Sequence, residues 1–370
     1  MAVTPDQLLI ATRDLFPEIE KMWLNAHPLT EALFDKMKRE KTSGPYAAFN
    51  VEIDGPGSAQ MITSGNEIIN GTRRNILRQG RLDVPTIIYS YSVNAQQLRR
   101  ATGENAIVSL LKLYPEAAMA HFRNGLGIHF MLGRHADSTE GGSGIGDVSG
   151  MFHLNGDQNW QTSPATASNT GLLQFRTPAA QVDTFMGLAR QGAANGTPKW
   201  YNHYEAVTSF ITHGRERLRR LYNNCEMRSG SYGGPDLMFC DPLSHEQYYN
   251  SLTDQVRYME VIKGEKSKGR KAGLAFMDGV VYSEVAMSDD SAAFGHGADG
   301  TWYMINSKTF ACYTLPDVNE AGVESGDSYF GLRGPTRQEN RDSYLFEILF
   351  SAQPFCKFLA ANGCAEGTAL

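Results

Sequence analysis

Between Gly57 and Asp83 the chain is polar and glycine-containing. It carries Arg73, Arg74, Arg78 and Arg81 and too few large apolar residues to fold as a compact unit. Strand signatures stand on both sides of it. From Tyr46 onward Phe49, Val51 and Ile53 alternate with Asn50 and Glu52, and Asp54-Gly55-Pro56-Gly57 then supplies turn chemistry. From Thr86 to Val93, Ile87, Tyr89, Tyr91 and Val93 share a face opposite Ile88, Ser90 and Ser92. A bracketed insertion with no core of its own must lean on another surface, and any fold for this chain has to provide one.

The rest of the chain reads as mixed helix and strand. Thr4-Pro5-Asp6 is a helix start, and a second short helix from Pro28 places Leu29, Leu33 and Met37 on one stripe before the charged run Lys36 to Lys41, expected as a solvated face. Gln96 to Gly133 predicts a long helix broken near Pro115, followed by a Gly/Ser/Asn/Asp-rich region through Ser168. A second strong helix is expected from Tyr204 to Glu226, with Val207, Ile211, Gly214, Leu218, Leu221 and Cys225 on its apolar stripe. Pro235 to Cys240 predicts a short strand. Ser244 with Gln247 reads as a capping box for a helix through Tyr248, Tyr249, Leu252 and Val256. Asp278-Gly279 marks a hairpin within Leu274 to Tyr282. Strands follow at Trp302 to Ile305, Phe310 to Leu315 and Tyr344 to Phe350, with a return after Pro354. The sum is an α+β chain whose two ends could share a sheet.

Known chemistry finds little footing. A formal charge of -6 argues against a dedicated nucleic-acid binder. The five cysteines show no C-x-x-C spacing and suit neither a disulfide framework nor a zinc knuckle, which points to folding in a reducing cytoplasm. No basic-then-apolar leader is visible at the N-terminus, and no window approaches the ~18 consecutive apolar residues of a membrane span. Gly141 to Gly146 lacks the G-x-G-x-x-G spacing after a strand, and Gly264 with Gly269 is followed by Arg270-Lys271-Ala272 instead of a phosphate-loop ending. The basic residues around it, Lys263 to Lys271, read first as a solvated loop. The histidines form no ligand pair, and Asp137, Asp289 and Asp290 form no calcium ladder. No G-x-S-x-G elbow exposes a serine. No catalytic, cofactor-binding or metal-binding residue is therefore assigned. Aromatic residues cluster in the second half, including Trp200, Tyr222, Tyr248, Tyr249 and Trp302, and suit core packing or a protein interface.

One series of pieces carries a resemblance: Trp200-Tyr201-Asn202, the helix ending at Cys225, Pro235-Asp236-Leu237-Met238-Phe239, Tyr248-Tyr249, Leu274-Ala275-Phe276, and Trp302 through Asn306-Ser307-Lys308. In this order the chain resembles the major capsid proteins of tailed double-stranded-DNA bacteriophages, the Hong Kong 97 fold. The resemblance implies an N-terminal arm (1–45), an extended two-stranded loop with flanking strands (46–93) and a peripheral-domain spine helix (94–133). It further implies a mostly axial domain (134–300) and strands returning to the peripheral domain before a C-terminal tail (301–370). It gives the coreless insertion a purpose: the loop lies across a neighbouring subunit, where Arg73, Arg74, Arg78 and Arg81 meet carboxylates.

The function implied is non-enzymatic. Hexamers and pentamers of one chain tile an icosahedral shell around double-stranded DNA, held without sequence specificity. Portal protein, a separate scaffolding protein and possible decoration protein are the further partners, with no cofactor and no membrane. The location is the virion capsid, assembled in the host bacterial cytoplasm. No long charged N-terminal helix suggests a built-in scaffold, and a loop offering arginines in place of lysines suggests no covalent cross-links. The alternatives are an encapsulin-like nanocompartment shell and a soluble α+β hydrolase using His203, Asp236 and Ser244.

Overall fold

The computed structural model describes residues 32–33, 36–41, 47–52, 77–82, 86–94, 173, 177–182, 184–186, 188–252, 274–284, 300–314, 330–337, 343–351 and 353–367. In chain order the strands begin with β1 (Lys38–Lys41), β2 (Ala47–Glu52), β3 (Leu77–Leu82) and β4 (Thr86–Asn94). The short β5 (Thr184–Phe185) and β6 (Leu188–Ala189) precede β7 (His203–Ala206), helix α1 (Arg215–Arg228), β8 (Leu237–Cys240) and helix α2 (Pro242–Ser251). Then come β9 (Leu274–Phe276), β10 (Gly279–Ser283), β11 (Thr301–Ile305) and β12 (Phe310–Thr314). The last are β13 (Phe330–Arg337), β14 (Ser343–Ser351), β15 (Gln353–Cys356) and β16 (Gly363–Glu366).

The largest sheet is six-stranded and mixed, in the order β7-β16-β11-β8-β10-β9. Both α1 and α2 pack on one of its faces. Leu218, Leu221, Tyr222 and Cys225 of α1 and Tyr248 of α2 share a core with Met238, Cys240, Val281, Trp302, Met304 and Ala365. These sheet residues alternate along their strands with Phe239, Tyr303 and Ile305 on the other face, which are equally buried. A sheet covered on both sides needs near-continuous apolar strands, and β8 and β11 are buried at every residue. Tyr248, Phe276 and Trp302 interlock edge to face at 5.5–6.1 Å. Gly363 lets α1 come this close, since a Cβ there would lie 2.8 Å from Leu221 Cδ1 and 2.9 Å from Cys225 Sγ.

Two further sheets are three-stranded. In one, β14 pairs antiparallel with both β13 and β4, and Tyr91 stacks on Phe346 at 5.2 Å. In the other, β12 lies between β1, which is parallel to it, and β15, which is antiparallel. Pro354 sits in β15 at the sheet edge, where a missing N–H breaks no ladder. Strands after residue 300 do not travel together. β11 and β16 join the six-stranded sheet, β12 and β15 pair beside β1, and β13 and β14 pair beside β4.

Several local expectations need correction. The partner of β2 is β3, inside the supposed coreless insertion, while β4 pairs with β14, 249 residues away at Ser343↔Asn94. Most of the charged run is strand β1, held by β12 and by the ion pair of Glu40 with Lys357 (3.0 Å), while Lys36 just before it pairs with Asp236 (2.9 Å). Tyr204 lies in β7, and α1 starts only at Arg215, after a π-helical turn at Phe210–Gly214. That wider turn throws Ile211 out to 84% exposure while Phe210 is buried. Helix α2 is capped by Asp241, which accepts from Ser244 N at 3.1 Å with Pro242 behind it, in place of the Ser244–Gln247 box. In the β9–β10 hairpin the central turn residues are Met277 and Asp278, with Met277 at φ 51, and Gly279 already opens β10. The expected helices near Thr4 and over Gln96 to Gly133, the Gly141 to Gly146 cluster, Lys263 to Lys271, Asp289-Asp290 and Val256 lie outside the described residues.

Candidate functional site

The arm formed by β2 and β3 is rooted in its own chain. Phe49 and Val51 alternate inward and are buried, and Phe49 contacts Phe355 at 5.0 Å and Trp200 at 6.4 Å between ring centroids. Gly80, paired across from Phe49, leaves the space its ring occupies, since a Cβ there would collide with the ring. Tyr313, stacked on Phe355 at 4.3 Å, donates its hydroxyl to Ala48 O at 2.9 Å. Of the four arginines expected at a subunit contact, Arg78 and Arg81 are exposed on β3. Arg78 donates to Thr197 Oγ1 at 2.9 Å and Asn195 O at 3.4 Å of the same chain. Arg73 and Arg74 lie outside the described residues.

The residues that carried the resemblance meet in a buried polar seam. Asp236 accepts from Ser307 N at 2.7 Å, Ser307 Oγ at 2.6 Å and Lys36 Nζ at 2.9 Å. Burial alone would raise the Asp236 carboxyl, but these donors outweigh it and hold the group below its ordinary value. Asn306 donates to Gly233 O at 2.7 Å, and its N–H donates to Asn362 Oδ1 at 2.8 Å. Asn362 in turn donates to Phe358 O and Thr309 Oγ1, and its carbonyl receives the N–H of His203 at 3.0 Å. Asn202 and Gln181 exchange backbone and amide hydrogen bonds at 2.8 and 3.1 Å, and Arg190, fully buried, donates to both side chains. The seam therefore satisfies backbone groups where strands from distant parts of the chain cross. Sequence reading missed Gln181, Arg190 and Asn362, because their partners are fixed by tertiary placement and leave no local spacing to find.

The five cysteines are free and buried. Burial pushes Cys356 up to about 12 and raises Cys225, Cys240 and Cys364, so thiolates are scarce at neutral pH. The hydrolase trio does not converge. Asp236 and Ser244 stand at opposite ends of β8, and His203 is on β7, with β16 and β11 intervening, about 14 Å at ordinary strand spacing. His203 Nε2 is buried without a hydrogen-bond partner. Among the described residues no cluster of His, Cys, Asp or Glu is placed to hold a metal ion, and no helix is long and apolar enough to cross a membrane.

No protein-family model and no curated protein matches the chain. Solved structures do. The fold is of the Hong Kong 97 type. The similarity is to a chain of the cyanophage A-1(L) capsid asymmetric unit, with a TM-score of 0.57 and 12% identity over 95% of this chain and 93% of that one. The capsid of Myoviridae phage XM1 also aligns, at a TM-score of 0.48 and 10% identity over 92% of each chain. So does the holo-SrpI encapsulin complex of Synechococcus elongatus PCC 7942, at 0.44 and 8% over 91% of this chain and 86% of that one.

Proposed function

We propose that this chain is a major capsid protein, a non-enzymatic subunit that assembles into hexamers and pentamers closing an icosahedral shell around double-stranded DNA. The observation that supports this most is the agreement of fold with the cyanophage capsid chain over nearly the full length of both. The reading includes the division expected from the sequence as part of the proposal: arm, extended loop, spine helix, axial domain and returning strands. The loop's arginines, Arg73, Arg74, Arg78 and Arg81, reach carboxylates of an adjoining copy, Arg78 keeping its bond to Thr197 through one of its five N–H donors. Portal, scaffolding and decoration proteins would join the shell, which is built in a bacterial cytoplasm and ends in the virion. Electron microscopy of the purified chain, with and without a co-expressed scaffold, tests the reading. Closed polyhedral shells are the expected product, and a uniform small oligomer under every assembly condition would falsify it.

A further inference from the structure

Helices α1 and α2 share a face of the six-stranded sheet but lie over different parts of it. α1 packs on β7 and β16 and α2 packs on β10, and the two meet where Arg215 at the start of α1 donates to Ser251 O at the end of α2, at 3.4 Å. Their outward sides differ in chemistry. α1 holds Arg215, Arg217, Arg219, Arg220 and Arg228 against Glu216 and Glu226, five positive charges less two negative, or +3. Its outermost stripe runs Arg219, Asn223, Met227 at intervals of four, and Met227 is 73% exposed. α2 has Glu246 as its single charged residue at neutral pH, set between Leu243, 50% exposed, and Tyr249, 43% exposed. Each helix thus leaves apolar surface in water with an exposed charge on the same side, Arg219 on α1 and Glu246 on α2.

Arg217 and Arg220 are already held by Glu205 of the same chain at 3.3 and 3.1 Å, and Arg215 donates to Ser251 O at 3.4 Å, which leaves Arg219 as the cation on the outward stripe. An exposed Glu246 flanked by Leu243 and Tyr249 is the complement of that stripe in both charge and apolar surface. The outward sides of both helices point away from the one sheet face that carries them, so they cannot face each other within one chain, and repeated between copies the contact runs head to tail, the kind of contact that closes into rings.

We propose that the outward stripe of α1 docks on the outward side of α2 of a second copy of this chain, with Arg219 against Glu246 and Met227 between Leu243 and Tyr249. The pairing rests on the shell reading above and specifies the contact that circles each capsomer. Arg219→Glu and Glu246→Arg are compared with their combination and with the unaltered chain by mass photometry and electron microscopy. Thermal melts confirm that each variant is folded, as two exposed positions allow. The expected result is that each single variant needs about tenfold or more higher concentration to form rings, and that the double variant returns to near the unaltered value. Single variants that assemble like the unaltered chain, or a folded double variant that stays defective, overturn the pairing and leave the shell reading standing. Rings unchanged in Arg219→Glu but with binding to a duplex DNA probe lost would also overturn it and assign α1 to nucleic acid. An unaltered chain that never forms rings sinks the shell reading, and the pairing with it.

Discussion

His203 begins β7 with its ring edge-on to Tyr201 at 5.4 Å and its Nε2 buried without a partner. Burial first, and the charge of Arg228 second, bring it down to about 4. In the unfolded chain the same imidazole titrates near 6.5, so between those values the unfolded state binds the proton and the folded state does not. Stability from this residue is complete above about pH 6.5 and is lost as pH falls toward 4. Urea unfolding at pH 7 and pH 5 should show the unaltered chain losing roughly 1 to 2 kcal/mol more than His203→Gln. Equal losses in the two proteins would contradict this assignment. The burial that makes His203 pH-sensitive comes from neighbours that only the tertiary structure supplies. In sequence it stands out only as a member of the alternative hydrolase trio, and nothing local marks its burial.

At the level of elements, legibility followed burial pattern. β14 could be read from Tyr344, Phe346, Ile348 and Phe350, and β8 from its apolar run, because a core imposes period two or unbroken hydrophobicity on strands that face it. β1 and β3 could not. Lys-Arg-Glu-Lys and Leu-Arg-Gln-Gly-Arg-Leu hold no apolar face, and each is a strand because a neighbour presents its backbone ladder: β12 to β1, β2 to β3. Within the seam, Asp236 was visible as part of a motif, but its partner Lys36 stands 200 residues away. Of the two buried residues of β2 described above, Phe49 is the larger and the one set between aromatic rings of distant segments. Phe49→Ala should destabilise the chain by about 3 kcal/mol or more by emptying the space between Trp200 and Phe355. It should also speed protease cleavage between β2 and β3 well before global unfolding. Unchanged cleavage kinetics in the folded variant would place the anchor elsewhere.

For the molecule as a whole, the interior of the six-stranded sheet depends on one late segment. β16 lies between β7 and β11, antiparallel to one and parallel to the other, and it underlies α1 through Gly363. Gly363→Val should cost roughly 1 to 3 kcal/mol, because neither Leu221 nor Cys225 can withdraw without lifting α1 from the sheet. A single cooperative transition at lower denaturant is the expected trace, and a melt indistinguishable from the unaltered chain would show that α1 yields freely. The location of β16 also sets a clock. β7, β8, β10 and β11 all leave the ribosome before the strand that joins β7 to the rest, so a nascent chain cannot close this sheet until synthesis has passed Glu366. Chains still being translated on one messenger would then lack the finished α1 platform. On the proposed pairing of α1 with α2, the order of synthesis itself would hold off premature association between neighbours on a polysome.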